Sequence, residues 1–184
     1  MKTLFVGSHP DDIELYCGGT IMKLKDIGFD IVYVICTDGN VKDGDRLEEA
    51  EKAINKLGIK KYYFLGLEDG RLEHNINLIK KLDNIFKTEK PDVIFCHSQQ
   101  DYHQDHIAVA RCVRSANRLY NSSLISYAYH SHYEIFDANL FVNIEKYKDK
   151  KVKLLNVFKS QKDNWYFKLN DGIEKFKIEI ARWN

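Results

Sequence analysis

Thr3-Leu4-Phe5-Val6-Gly7-Ser8-His9-Pro10-Asp11-Asp12, near the start of a chain of 184 residues, combines an apolar run with a polar turn. The apolar part, 3–7, is typical of a short buried strand, and the Ser-His-Pro sequence that follows ends it. Apolar residues then recur at helical spacing as far as Leu24, behind two aspartates whose carboxylates suit the free N–H groups of a helix start. We therefore predict a strand, a turn and a helix that ends near Gly28.

The same alternation of apolar strand and amphipathic helix continues along the chain. Strands are predicted at 31–36, 62–65 and 93–96, and helices at 47–57, 76–86 and 107–119. Strands that are separated by helices of this length pair in parallel, because each connection must travel back along the sheet. The sequence therefore predicts an α/β protein with a three-layer, Rossmann-like fold and a mainly parallel sheet.

The pattern changes after Asn121. Further strands are predicted at 126–129 and 140–144, then a helix at 148–160 and an amphipathic close at Ile173, Phe176 and Ile180. These segments are expected as extra strands and helices on one edge of the sheet. Since no repeat or Pro/Ser-rich linker interrupts the chain, residues 1–184 are predicted to form a single domain.

Composition restricts the class of protein. Hydrophobic residues make up 44% and charged residues 30%, which is typical of a soluble globular protein, and the net charge of +1 argues against a nucleic-acid partner. The four cysteines form no CxxC pair and are expected to be reduced, mostly buried thiols. No apolar run approaches the roughly 18 to 20 residues of a membrane span, so we expect no membrane association and a cytoplasmic location. A homo-oligomer is compatible with the sequence, which leaves the oligomeric state open.

Residues with metal-binding chemistry follow two of the predicted strands. His9-Pro10-Asp11-Asp12 follows the first strand, and a segment from His97 to His106 follows the fourth. The carboxyl ends of parallel strands share one edge of the sheet, where ligands collect. Histidine nitrogen and aspartate oxygen are ligands of catalytic zinc sites, which keep one position open for water. Either motif alone could be a capped helix start, but the two together favour a metal site.

These motifs resemble those of the LmbE/PIG-L family of N-acetylglucosaminyl deacetylases. The first motif continues as Ile13-Glu14 and through Cys17-Gly18-Gly19-Thr20, and the second is His103-Gln104-Asp105-His106. The resemblance extends over most of the chain, through 37–39, Arg46, Glu49, 57–58, 64–70, Asn139 and 159–161.

The resemblance implies a role for each motif residue. His9, Asp12 and His106 would be ligands of a Zn²⁺ cofactor. Asp11 would be the general base, His103 would stabilise the oxyanion, and Asp105 would orient His103. The implied activity is that of a metal-dependent N-deacetylase, a hydrolase of amide bonds that acts on a small amino-sugar substrate.

The chemistry of these groups is consistent with amide hydrolysis. Zinc lowers the pKa of bound water towards about 7, so that a neighbouring carboxylate such as Asp11 can take its proton. A protonated His103 would then support the oxyanion, because three residues place it on the same side of the helix entry as His106. Asp105 or Asp101 would keep that imidazole charged, and the sequence leaves open which of them does so.

Other polar residues are assigned more loosely. Arg46 and Asp69 follow the second and third strands and are predicted to bind substrate, with a surface salt bridge as the alternative for each. His97, His130 and His132 are interpreted as structural histidines or as partners of the ligands.

Two other functions remain open at this stage. The first is a zinc amidase that acts on another N-acyl group or on a thiol conjugate with the same catalytic residues. The second is a non-enzymatic nucleotide-binding module, which the sequence disfavours because no GxGxxG motif follows the first strand.

Overall fold

A computed structural model describes residues 1–39, 46–127, 138–162 and 178–183. In chain order, its helices and strands are β1 (Lys2–Gly7), α1 (Asp12–Asp26), β2 (Asp30–Thr37), α2 (Arg46–Leu57), β3 (Lys61–Leu67), α3 (Ile76–Glu89), β4 (Val93–His97), α4 (Gln104–Asn117), β5 (Ser123–Tyr127), β6 (Leu140–Asn143), α5 (Lys148–Leu155) and β7 (Ile178–Trp183). The four consecutive strand–helix units that the sequence predicts are therefore confirmed.

The seven described strands form one sheet in the order β3-β2-β1-β4-β5-β7-β6. Strands β1 to β5 pair in parallel, and β7 runs antiparallel to both of its neighbours. The predicted α/β class and the mainly parallel sheet are confirmed. Because β1 has β2 on one side and β4 on the other, the strand order reverses direction there, which is where such sheets form a crevice at their carboxyl ends.

The core has two layers, one on each face of the sheet. Phe5 of β1 packs with residues of α1, α2 and α5, whereas its neighbours Leu4 and Val6 pack with residues of α3 and α4. Successive side chains of a strand point to opposite faces, so a strand that is covered on both sides needs an unbroken apolar run. The run at the start of the chain meets this requirement and forms the middle of a three-layer structure.

The C-terminal part follows the prediction in outline. The helix predicted at 148–160 ends at Leu155 and is followed by a short 3₁₀ turn, Lys159–Gln161. Strand β5 begins at Ser123, three residues before the predicted start. Residues 128–129, Ile173 and Phe176 lie outside the described residues, and Ile180 belongs to β7.

The four cysteines are free and buried, as expected. Within the described ranges, no helix is long and apolar enough to cross a membrane.

Candidate metal centre

The two polar motifs lie at the carboxyl ends of β1 and β4, which are hydrogen-bonded neighbours in the sheet. His9 and Asp12 follow β1, whereas His97 ends β4 and His106 lies in the first turn of α4. The side chains of His9, Asp12, His97 and His106 are all buried. The prediction that both motifs meet at one edge is confirmed by this strand order.

Potential ligand atoms of three residues lie close together, and the two imidazoles face different oxygens of the Asp12 carboxylate. His9 Nδ1 lies 3.3 Å from His106 Nε2 and 3.3 Å from Asp12 Oδ2, while His106 Nε2 lies 3.4 Å from Asp12 Oδ1. In a tetrahedral zinc site with bonds of about 2.0–2.1 Å, neighbouring ligand atoms are about 3.3–3.4 Å apart. The donor set and its spacing therefore fit a small divalent cation.

The outer nitrogens of the two imidazoles contact carboxylates. His106 Nδ1 lies 3.0 Å from Asp101 Oδ2, and His9 Nε2 lies 3.0 Å from Asp69 Oδ1 and 3.2 Å from Asp105 Oδ2. An ionised carboxylate only accepts hydrogen bonds, so the proton of each neutral ring belongs on its outer nitrogen. The two inner nitrogens then direct lone pairs at each other across 3.3 Å. Such an arrangement needs a cation between the rings, either a proton or a metal ion.

The surrounding carboxylates create a negative field at this position. Burial alone would lower the pKa of His9, but the charge of Asp12 and the hydrogen bonds that the imidazole donates to Asp105 and Asp69 raise it to about 12. For His106, Asp12 and Asp101 likewise overcome burial and raise the pKa to about 9. A field that attracts protons this strongly also favours a divalent cation.

Asp11 has an unusual backbone. Its φ of 112° and ψ of −27° lie in the left-handed region, which a residue with a side chain rarely adopts. The sequence predicts that the carboxylates at this turn cap α1, but the Asp11 side chain makes no capping hydrogen bond. Strained residues of this kind persist where surrounding contacts hold them, and they are common at functional sites.

The contact that holds Asp11 comes from Arg46, at the start of α2. Arg46 Nη2 lies 3.1 Å from Asp11 Oδ1 and 2.9 Å from the Pro10 carbonyl oxygen, and Nη1 donates to Gly39 O at 3.0 Å. Burial raises the pKa of Asp11 to about 7, although the positive charge of Arg46 opposes the shift. Asp11 Oδ2 is buried and has no hydrogen-bond partner within the described part of the chain.

His103 is the N-cap of α4, and its ring lies beside the cluster. The ring centroid is 4.7 Å from that of His9 and 4.7 Å from that of His106. Its Nδ1 accepts a hydrogen bond from the backbone N–H of Asp105 at 3.2 Å. Burial, together with the charges of His106 and His9, lowers the pKa of His103. The geometry thus favours a neutral ring with its proton on Nε2, in contrast to the protonated form expected from the sequence.

The two aspartates considered as partners of His103 hold other groups. Asp105 is fully buried, and its carboxylate accepts from the backbone N–H groups of Gly70 and Leu72 in addition to its contact with His9. Asp101 contacts the ring of His106, and His103 only through its backbone N–H. In the described contacts, both aspartates therefore orient the proposed ligands and not the ring of His103.

His97 contacts two residues of the cluster, His106 and Asp12. Its ring stacks on that of His106 at a centroid distance of 3.8 Å, and its Nε2 lies 3.1 Å from Asp12 Oδ2. Burial, followed by the charge of His106, lowers the pKa of His97 to about 4. This placement matches the interpretation of His97 as a partner of the ligands. His130 and His132 lie outside the described residues.

The structure brings Arg46 and Asp69 to the site through contacts that the sequence does not indicate. Arg46 contacts Asp11, whereas Asp69 contacts His9. Neither contact could have been found from spacing, since each joins loops that follow different strands. The described ion pairs of these two residues are not surface salt bridges, because only 13% and 18% of the Arg46 and Asp69 side chains are exposed.

The fold and this cluster define a class: α/β proteins with a buried His/Asp cluster that could hold a metal ion at the carboxyl edge of a mainly parallel sheet. Residues 4–117 match the family described as PIG-L, GlcNAc-PI de-N-acetylase. The chain belongs to this family, as its motifs predict.

Known proteins similar to this chain include two deacetylases. A diacetylchitobiose deacetylase of Thermococcus kodakarensis is 35% identical over 104 residues, which are 50% of this chain and 39% of that protein. An uncharacterized deacetylase of Escherichia coli (strain K12), YaiS, is 39% identical over 115 residues, which are 58% of this chain and 62% of that protein. The alignments thus span less than two thirds of either relative.

A solved structure extends the similarity over the whole fold. The N,N'-diacetylchitobiose deacetylase of Pyrococcus horikoshii superposes with a TM-score of 0.79 and 25% sequence identity. The superposition covers 99% of this chain and 82% of that chain.

Proposed function

We propose that the protein is a zinc-dependent hydrolase that removes the N-acetyl group from an N-acetylglucosamine-type sugar derivative. The observation that carries the proposal is the cluster of His9, Asp12 and His106, whose nearest nitrogen and oxygen atoms lie 3.3–3.4 Å apart, close to the ligand spacing of a tetrahedral zinc site. These three residues would hold the ion. When bound, zinc would polarise the amide carbonyl and lower the pKa of water, which are the two effects that amide hydrolysis needs.

Asp11 is proposed as the general base. It adjoins Asp12 in the chain, and one of its oxygens is held by Arg46 while Oδ2 has no described partner. We assign Oδ2 as the atom that takes the proton from the attacking water. Burial raises the pKa of this carboxyl to about 7 in the metal-free protein, and the charge of a bound zinc ion would lower it, so that the carboxyl is ionised and can accept a proton near neutral pH.

His103 is proposed to stabilise the oxyanion while neutral. Since its Nδ1 accepts the N–H of Asp105, Nε2–H is the donor that remains for a substrate oxygen. A fixed donor of this kind stabilises developing negative charge without having to reorganise. Asp105 therefore contributes to His103 through its backbone and to His9 through its carboxylate.

After the attack, the departing amine needs a proton. Asp11 Oδ2 holds one proton taken from water and adjoins the proposed ligands His9 and Asp12 in the chain, so we assign Asp11 as its donor. The carboxylate that results is ready for the next cycle. The second proton of water leaves with acetic acid and passes to the amine or to solvent, so the products at neutral pH are acetate and the ammonium form of the amino sugar, and atoms and charges balance.

Arg46 is proposed to orient Asp11 and not to bind the sugar. Its guanidinium already donates to Asp11, Pro10 and Gly39, and a substrate hydroxyl would have to compete with these contacts. The planar fork of arginine suits simultaneous contacts to a carboxylate and to carbonyl oxygens. This assignment replaces the substrate contact expected from the sequence.

An amino-sugar substrate is supported by the relatives' names, two of which are diacetylchitobiose deacetylases. A small neutral substrate also agrees with the net charge of +1, which offers no excess of basic groups to a polyanion. A zinc amidase for another N-acyl group would use the same residues, so substrate identity is a question for assay.

Acetate release from N,N'-diacetylchitobiose and N-acetylglucosamine by the zinc-loaded protein tests the proposal. We expect acetate at a rate that disappears when the metal is chelated and returns with added zinc. N-butyryl glucosamine serves as the matched substrate with a larger acyl group. Hydrolysis of the butyryl compound alone would favour the amidase, and hydrolysis of none of the compounds would contradict the proposed activity.

A further inference from the structure

A groove lies between the helices α1, α2 and α5, at the opposite end of α1 from the metal cluster. Its volume is about 420 Å³, which is within the range of small-molecule sites. Residues at the C-terminal ends of α1 and α2, among them Lys25 and Leu57, line it. Because α1 begins at Asp12 and rises about 1.5 Å per residue, Lys25 lies roughly 20 Å along the helix from that proposed ligand. The groove is therefore separate from the proposed catalytic site.

The floor of the groove is apolar. Leu57 and Leu154 belong to the buried core on this face of the sheet, and Met22 packs against the same core. The side chain of Tyr147 is buried as well, and its hydroxyl donates to Asp26 at 2.7 Å. A ligand that fills the groove would therefore bury an apolar group against these side chains, which favours binding.

The rim of the groove is positively charged. Its acidic lining residue, Asp26, already accepts from Lys146 at 3.1 Å and from Tyr147. The four basic lining residues are Lys25, Lys56, Lys150 and Lys153. Since the whole chain has a net charge of only +1, positive charge is concentrated at this groove. Such a concentration favours an anionic ligand.

Two of the four ammonium groups are held by backbone carbonyls. Lys25 Nζ donates to two carbonyl oxygens at the C-terminal end of α2, and Lys56 Nζ donates to that of Lys153 at 2.6 Å. Lys150 and Lys153 are exposed, and their side chains make no hydrogen bond or ion pair with the part of the chain that the structure describes. Because an ammonium group has three N–H donors, each of the four lysines retains at least one for a ligand.

We propose that this groove is a second binding site, for a soluble phosphate monoester that carries an apolar group. The phosphate would lie between the ammonium groups of the rim, with the apolar group on the floor. Lysine binds phosphate as a point charge, whereas carboxylates favour the planar fork of arginine, and the described lining of the groove contains no arginine. The inference goes beyond the proposed function and is independent of the zinc site and of deacetylation.

Binding of 1-naphthyl phosphate to the zinc-loaded protein tests the proposal. We would use isothermal titration calorimetry on the wild type, on the groove variant Lys150→Ala/Lys153→Ala and on Lys80→Ala/Lys81→Ala, a control that removes the same charge from exposed lysines of α3 on the other face of the sheet. Loss of a charge-assisted hydrogen bond weakens binding by about tenfold or more, so we expect that loss in the groove variant and wild-type affinity in the control. Equal affinity of the two double variants would overturn the proposal.

Two further ligands test the two halves of the groove. Inorganic phosphate lacks the apolar group and 1-naphthol lacks the charge, so each should bind the wild type about tenfold more weakly or less well still. Binding that disappears when zinc is chelated and is the same in all three proteins would belong to the metal and would overturn the proposal. Retention on phosphatidic acid vesicles without binding of 1-naphthyl phosphate would assign the lysines to a membrane surface and would overturn it too.

Stability and activity separate ligand binding from a structural role of the lysines. Thermal unfolding and acetate release should be the same in the groove variant as in the control, because Lys150 and Lys153 are exposed and lie on a helix far from the metal cluster. A groove variant that is less stable but binds 1-naphthyl phosphate as the wild type does would show that these lysines only offset the carbonyl groups of the helix ends.

Discussion

At the scale of single residues, the carboxylates of this site differ in which histidine or arginine side chains they contact. Asp12 lies among three histidines, whereas Asp11, its neighbour, is paired with Arg46. Burial dominates at Asp11 and raises its pKa to about 7, but the charges of His106, His97 and His9 overcome burial at Asp12 and lower its pKa. The two adjacent aspartates therefore differ in protonation behaviour, as the proposed roles of Asp12 as metal ligand and Asp11 as base require.

Separate asparagine substitutions at the two aspartates test whether Asp11 is the base and Asp12 the metal ligand. Asp11→Asn should retain zinc and lose about 10² or more in rate, since a general base contributes roughly 10² to 10⁴. Asp12→Asn should instead lose zinc, because the amide is a weaker ligand than a carboxylate. The measurements are zinc content and kcat for both variants. A zinc-free Asp11→Asn together with a zinc-loaded Asp12→Asn would reverse the assignment.

The raised pKa of Asp11 predicts a pH dependence. A base acts when it is ionised, so activity should fall at acidic pH, where Asp11 becomes protonated. Burial raises its pKa to about 7 in the metal-free protein, and the charge of a bound zinc ion would place this acidic limb below that value. Arg46 lowers this pKa by its charge, so Arg46→Met should raise the pKa and move the acidic limb of kcat/KM to higher pH.

Two further variants serve as controls for that profile. Arg46→Lys keeps the charge and should leave the limb closer to that of the wild type. Arg71→Met removes an exposed arginine that is paired with Glu68 and should not move it. If the acidic limb of kcat/KM in Arg46→Met had the same apparent pKa as in the wild type, or a lower one, Asp11 would not be the titrating base.

At the scale of helices and strands, α1 is positioned by close contact as well as by its apolar stripe. A methyl group added at Gly19 would lie 2.7 Å from Ile144, a residue that is 1% exposed. At the preceding residue, Gly18, the nearest atom would be a Leu154 methyl carbon at 3.4 Å, an ordinary contact. The helix that begins with Asp12 thus approaches Ile144 at Gly19 too closely to leave room for a methyl group.

Alanine substitutions at these adjacent glycines should have opposite effects. Gly19→Ala should lower the free energy of unfolding by about 1–3 kcal/mol, because overpacking forces neighbours to move. Gly18→Ala should leave it unchanged or raise it by up to about 1 kcal/mol, since alanine is the better helix former. Urea unfolding of both variants at equal metal content measures the difference. Equal stabilities would mean that α1 does not pack closely against Ile144.

Strand–helix alternation was predictable because each segment carries its own periodicity. Strand β1 and helix α1 are read directly from apolar spacing and from the turn between them. Contacts between loops were not predictable, since nothing in the spacing of Arg46 or Asp69 indicates that they reach Asp11 and His9. Spacing also could not indicate that Asp105 contacts the His103 ring through its backbone N–H, because a sequence neighbour can contribute either a side chain or a backbone group.

At the scale of the whole molecule, the site results from strand order. His9 and His106 are 97 residues apart in the chain, yet their ring nitrogens lie 3.3 Å apart because β1 and β4 are adjacent in the sheet. The two motifs therefore meet at the carboxyl end of β1, where the strand order changes direction because β2 lies on one side of β1 and β4 on the other. We propose that the chain, 1–184, forms one domain around this sheet, and its cytoplasmic location and oligomeric state stay predictions.

Zinc content of purified protein tests the central claim most directly. After reloading and removal of free metal, elemental analysis should give about one zinc per chain for the wild type and for His74→Ala, which removes an exposed histidine that bonds to Ser115 outside the cluster. His106→Ala should retain far less under the same conditions. Wild-type protein without divalent metal, or a His106→Ala variant that holds as much zinc as His74→Ala, would contradict the assignment of His9, Asp12 and His106 as the metal site.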